Sequence, residues 1–263
     1  MSDVPPNPAA LAIEMRGVAV NSMKDPGVAV AENVDWSVAP GEFWVVAGPQ
    51  CSGKSDFLML TGGLMAPTDG VYRLFGEDMP IFEDSRLTER LRLGFVFDGG
   101  QLFNQMTIAE NIALPLRYHQ SLTGAEAEPQ VQAMLELTAL TPWMDSTPGT
   151  VARNWQKRAG LSRALALKPD VLLLDNPLGG LDARHTNWWL IFLDQLSRGH
   201  RSLGGNPMTV VVTANDLRPW KSSSCRFALL KDKQFAALGA WPELERAADP
   251  AVQELLAHEP TGN

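Results

Sequence analysis

The sequence predicts an α/β fold, with strands and helices alternating around a parallel or mixed sheet and a helical insert between them. Three observations predict it. The stretch Gly48-Pro49-Gln50-Cys51-Ser52-Gly53-Lys54-Ser55 matches G-x-x-x-x-G-K-[ST], a phosphate-binding loop. Its flanks are an apolar run, Phe43 to Ala47, and a helix-like segment, Phe57 to Leu60. Two further strand-like runs lie far downstream: Val171 to Leu174, which ends in Asp175, and the β-branched Met208 to Thr213.

Residues 11–20 and 31–39 read as strands, and Asn33 to Val38 alternates polar and apolar as a half-exposed strand does. Pro40-Gly41 turns the chain into the strand before the loop. After the first helix, Pro67-Thr68-Asp69-Gly70 is a strong turn that leads into the strand Val71 to Phe75. Leu93 to Phe97 is another short buried strand. Residues 107–168 are largely helical in pattern. Thr107 with Glu110 signals a capping box for a helix to about Leu116, and Gln130 to Leu140 has apolar residues at helical spacing. A helix follows over 183–198, then two edge strands near 225–231 and 234–239, and two C-terminal helices.

Of the 263 residues, 45% are hydrophobic and 20% charged, which indicates a globular chain. A net charge of −8 without a basic stripe argues against nucleic acid as a partner. The cysteines, Cys51 and Cys225, suggest neither a disulfide framework nor a metal site, and a reducing cytoplasm is the simple inference. Residues 1–10 hold three prolines, resemble no signal peptide and are expected to be disordered. No apolar run approaches ~20 residues, so a membrane link would go through a partner. His119, His185 and His200 are scattered. The bulky Trp188 to Leu193 stretch reads as core packing with one exposed tryptophan.

In such a loop, backbone N–H groups and a helix N-terminus converge on an anion. Lys54 is expected to reach the β- and γ-phosphates of a nucleotide, and the Ser55 hydroxyl to ligate Mg²⁺. Asp175, at a strand tip, is the second acidic group such a metal needs.

Around these residues the chain resembles the ATP-binding subunits of ABC transporters. Asp175-Asn176-Pro177-Leu178-Gly179-Gly180-Leu181-Asp182 is similar to the family's Walker B and D-loop, D-E-P-x-x-x-L-D. Arg158 to Ala166 resembles its R-[AV]-x-[IL]-A-R-A-[IL]-A helix. Gln101 to Leu116 resembles the segment after the Q-loop in the lipid-trafficking (Mla) branch that works with MCE proteins. The resemblance spans about residues 11–255. It implies a P-loop NTPase with a RecA-like core over 11–98 and 160–263, an antiparallel edge sheet and a helical subdomain at 99–159. It also implies a head-to-tail dimer, homo- or heteromeric, with ATP and Mg²⁺ between the subunits. A permease would dock near residues 100–118, with an MCE-type lipid-binding protein as a further partner. The chain would sit on the cytoplasmic face of the inner membrane.

Departures from the family pattern gather at the chemistry. Asn176 stands where the catalytic Glu is expected, and a carboxamide cannot take a proton from water, a loss of ~10²–10⁴ in rate. The signature L-S-G-G-[QM] aligns with Val151-Ala152-Arg153-Asn154-Trp155. Arg153 reads either as a phosphate-pairing finger or, more plainly, as a solvated arginine at a helix start. Asp98 replaces the Q-loop glutamine and Asn215 the H-loop histidine. The adenine-stacking aromatic falls near Val18 or Val20, neither of which can stack. Cys51 replaces a glycine, and Asp56 replaces a threonine where its charge would cap helix N–H groups and repel phosphate.

The sequence therefore supports two readings. One is a transport subunit that binds ATP and hydrolyses it weakly. The other is a silent pseudo-ATPase that scaffolds or regulates a permease complex. A small-molecule kinase would need a lid of arginines and an acceptor pocket, and neither is visible.

Overall fold

A computed structural model describes residues 10–79, 87–247 and 249–256. The expected disorder over 1–10 falls outside the described residues, apart from Ala10, and so do the final residues 257–263 of the second core segment.

The centre of the molecule is a sheet of β3 (Phe43–Ala47), β6 (Leu93–Val96), β7 (Val171–Leu174), β8 (Thr209–Ala214), β9 (Arg226–Lys231) and β10 (Gln234–Gly239). Its order is β10-β9-β3-β8-β7-β6, and every pairing is parallel except β9 with β10. The sequence places both final strands at an edge. The structure corrects this, since β9 runs parallel to β3 and only β10 is terminal. The reason is legible in Phe227 to Leu230, four consecutive buried apolar residues that need cover on both faces.

A second, antiparallel sheet has the order β2-β1-β4-β5, built from β1 (Ile13–Asn21), β2 (Ala29–Val38), β4 (Asp69–Leu74) and β5 (Glu77–Asp78). The helices are α1 (Lys54–Thr61), α2 (Leu87–Arg90), α3 (Ile108–His119), α4 (Gly124–Leu137), α5 (Arg153–Leu165), α6 (Ala183–Arg198), α7 (Trp241–Arg246) and α8 (Pro250–Leu256).

β3 shows how one apolar strand feeds two cores. Phe43, Val45 and Ala47 join the core that α3 to α6 cover. Trp44 and Val46 face the other way, into the core shared with α1 and the antiparallel sheet. Alternation along a strand divides the side chains between the faces, and each full burial of a large apolar side chain is worth ~1.5–3 kcal/mol. Trp44 packs edge-on to Trp36 with ring centroids 5.6 Å apart, and its indole N–H donates to Glu42 Oε2 at 2.8 Å.

The insert holds α3, α4 and the start of α5. Thr107 caps α3 as expected: its hydroxyl accepts from Glu110 N at 3.1 Å, and Glu110 Oε2 accepts from Thr107 N at 2.7 Å. α4 begins six residues before the expected Gln130, at Gly124, behind a second capping box formed by Thr123 and Glu126. Glycine at the first position and Pro129 inside the helix hide that start from a propensity reading.

A candidate phosphate-binding site at the carboxyl edge of the sheet

β3, β6, β7 and β8 run in one direction, so their carboxyl ends share an edge. Residues distant in sequence meet there. β3 delivers Gly48 and the loop, β6 delivers Asp98, β7 delivers Asp175 and Asn176, and β8 delivers Thr213 and Asn215. Open parallel sheets bind ligands at this edge.

The loop backbone fits an anion cradle. Cys51 and Gly53 adopt φ of 63° and 88°, left-handed conformations of the kind that build backbone anion nests. Gly48 can be nothing larger, because a Cβ there would lie 2.2 Å from the Leu230 carbonyl oxygen. Lys54 is buried, and its ammonium donates to Gly48 O at 2.9 Å and Pro49 O at 2.6 Å. Burial lowers its pKa to about 8, against the opposing pull of the Asp175 charge. Lys54 is therefore held ready at the centre of the loop. Gln50, Cys51 and Ser55 are exposed around it, and Pro49, Ser52 and Asp56 are partly so.

Asp56 departs from expectation. It does not cap its own helix; its carboxylate accepts from Met23 N at 2.9 Å and ties down the β1–β2 connection. Val18 and Val20 belong to the core and are fully buried, so neither offers a surface to a base. Half-exposed Met23 stands beside the loop instead.

Thr213 organises the acidic side. Its hydroxyl donates to Asp175 Oδ1 at 2.7 Å and accepts from Asn176 N at 2.9 Å. Asn176 has φ 45°, and a Cβ on Gly179 would lie 2.2 Å from its carboxamide nitrogen, so the side chain is folded onto its own turn.

Asp98, Arg153, Asn176 and Asn215 line one cavity of roughly 540 Å³. Asp98 Oδ1 lies 3.1 Å from Arg153 Nη2 and 3.0 Å from Lys157 Nζ. Lys157 also donates to the carbonyls of Asn176 at 2.8 Å and Gly179 at 2.9 Å. Burial alone would push the Asp98 carboxyl up. The hydrogen bonds and charges of Lys157 and Arg153 outweigh it and hold the group below the usual carboxylate range. Burial lowers Lys157, and Asp98 pulls it back. Lys157 is a residue the sequence reading passed over. Its signal was a lysine one step before the motif helix of Arg158 to Ala166, with no acidic neighbour in sequence to explain it.

Residues 31–179 match the family model described as "ABC transporter". The chain belongs to the ABC transporter family. It is 31% identical over 228 residues to the intermembrane phospholipid transport system ATP-binding protein MlaF of Escherichia coli K12, covering 86% of this chain and 82% of that protein. It is 33% identical over 172 residues to the lipoprotein-releasing system ATP-binding protein LolD 1 of Rhodopseudomonas palustris, covering 64% of this chain and 76% of that one. Among solved structures it superposes with a TM-score of 0.74 at 26% identity on the dimeric post-hydrolysis ATP-binding cassette MJ0796 bound to ADP and Pi, covering 87% of this chain and all of that one. The fold is the P-loop NTPase fold of ABC cassettes, and the chain is an ATP-binding subunit of that transporter class.

Against the family pattern, the site divides in two. On the loop side, the cradle, Lys54, Ser55 and Asp175 suit a nucleotide phosphate with Mg²⁺. On the far side, Asp98 is occupied by Arg153 and Lys157 of its own chain. Arg153 is the exposed arginine expected at a helix start, and it pairs with Asp98.

Proposed function

We propose that the chain binds ATP with Mg²⁺ as the nucleotide-binding subunit of a membrane transport complex and hydrolyses it slowly or not at all. One contrast carries this reading: an intact anion cradle beside an edge whose acid is already paired. Gly48, Pro49, Gln50, Cys51, Ser52 and Gly53 would surround the phosphates, with Asp56 beside them, and Lys54 would meet them through its ammonium. Ser55 and Asp175 would hold Mg²⁺, which neutralises phosphate charge when bound. No general base stands at Asn176, and Asn215 offers only a carboxamide. Motion is the expected output, with ATP joining two cassettes, identical or paralogous.

The likeness to MlaF supports a lipid cargo and, through the same resemblance, an MCE-type partner. An apolar groove of roughly 490 Å³ beside exposed Phe103 and Tyr118 supports permease docking near residues 100–118, at the insert treated as a subdomain over 99–159. No helix among the described residues is long and apolar enough to cross a membrane, and attachment to the inner face through such a permease fits that.

The packed Asn176 side chain and Ala152, which lacks a signature hydroxyl, favour a second reading, a silent pseudo-ATPase that scaffolds the complex. Thermal unfolding with ATP, with and without Mg²⁺, tests the site: a shift is expected with ATP and Mg²⁺. No shift at millimolar ATP would remove the nucleotide assignment. Phosphate release from the purified complex then separates the readings. Slow steady turnover marks the transport subunit, and bound nucleotide without turnover marks the scaffold. Asn176→Glu alone should not raise turnover.

A further inference from the structure

A cavity of roughly 430 Å³ lies between α5 and α6 and shares no lining residue with the cavity at the sheet edge. Trp155, Trp188, Ile191 and Phe192 form its apolar walls, and Arg158 and Arg184 supply its charge. Among the described residues, no aspartate or glutamate lines it.

Arg158 is the unusual member. It is only 5% exposed, and its guanidinium carbon lies 3.6 Å above the Trp188 ring and 4.7 Å from the Trp155 ring. Its one protein acceptor among the described residues is the Thr138 carbonyl at a long 3.4 Å, and its buried Nε has none. A guanidinium carries five donors, and a desolvated charge costs several kcal/mol unless it is paired. Stacking on indoles returns ~1–2 kcal/mol and leaves the donors unused. Burial lowers its pKa to about 10, and the nearby Arg184 charge adds to that. Arg184 is exposed and makes no ion pair among the described residues. Two converging cations without a carboxylate, set in an aromatic wall, lack one thing: an anion with an apolar body.

We propose that this cavity binds a small amphiphilic anion. Its carboxylate or phosphate pairs with Arg158 and Arg184, and its body lies against Trp188, Ile191 and Phe192. The volume is that of a small-molecule site. The same helix carries Arg153 and Lys157, so the ligand would touch the element that closes the sheet edge.

The test is a tryptophan-fluorescence titration of the full chain with decanoate, decyl phosphate, decanol and inorganic phosphate, each below its micelle-forming concentration. A saturable response to decanoate or decyl phosphate is expected, at least about tenfold tighter than to decanol. The tighter of the two acids names the head group. Arg184→Glu should weaken acid binding at least about tenfold, and Trp188→Phe should shrink the signal. Arg184 is exposed in the first turn of α6, where an acidic side chain suits the helix, so this variant will fold. Absence of a saturable response, equal binding of decanol, or an unchanged Arg184→Glu would overturn the proposal. Inorganic phosphate binding as tightly as decyl phosphate would overturn the apolar half of it.

Discussion

Asp98 and Lys157 stand 3.0 Å apart, and the lysine side chain is 2% exposed. The pair fastens α5 to the strand end of β6, while Lys157 also holds the turn after β7 through three backbone carbonyls, those of Asn176, Pro177 and Gly179. Lys157→Met should therefore destabilise the chain by ~2–4 kcal/mol, because it leaves Asp98 only Arg153 as a partner and deprives three carbonyls of their donor. Asp98→Asn should cost less, ~1–2 kcal/mol, since Asp98 is partly solvated. Urea unfolding reads both. Equal midpoints for Lys157→Met and the unaltered chain would show that the cluster holds nothing. Because the folded Asp98 carboxyl lies below its usual range, its contribution persists above that range and is lost only as pH falls through the lowered value.

Lys54 gives a second pH dependence of opposite use. Folded, it titrates at about 8, below the ordinary lysine range. Between the two values the unfolded chain binds more protons, so the nucleotide-free fold gains stability as pH rises through that window. ATP affinity should move the other way, falling by up to about tenfold for each unit above the folded value as the ammonium is lost. Calorimetric titration at pH 7 and pH 9 measures it. A flat profile would show that Lys54 does not meet phosphate, and Lys54→Met should abolish the slope.

The two thiols should react at very different rates. Cys51 is exposed on the loop, whereas Cys225 is buried and its thiol is pushed up to about 12. Iodoacetamide should label Cys51 first, by at least ~10²-fold, because the thiolate is the reactive form. Bound ATP should slow that labelling. Mass spectrometry of timed digests reports both, and equal labelling of the two sites would contradict the burial of Cys225.

Asp56→Thr removes a carboxylate from the start of α1 and a hydrogen bond to Met23 N. Stability should fall by no more than ~1 kcal/mol. ATP affinity should rise by about 3–10-fold as like-charge repulsion is relieved. Weaker binding in this variant would mean that the tether to the β1–β2 connection matters more than the repulsion.

Much of the fold was legible because it rests on local rules. The glycines of the loop, the turn at Pro67 to Gly70, the Thr107–Glu110 box and the apolar runs at 43–47 and 171–174 each declare themselves within a few residues. What misled was also local. β9 looked like an edge because it closes the chain in a hairpin with β10, yet its second partner, β3, lies far upstream. Asp56 looked like a helix cap, and only folding brings Met23 to it.

The sequence alone announced the glycine loop, since its spacing and its glycines set backbone geometry within a few residues. It also marked three departures from the pattern it resembles: Asp98, Asn176 and Asn215. Only the tertiary structure decided what those residues do instead. Pairing of Asp98 with Arg153 and Lys157, and the stacking of the Arg158 guanidinium between two indoles, depend on distances between separate elements. Such contacts leave no periodicity or motif in a chain, because parallel strands and packed helices join segments whose separation in sequence is arbitrary.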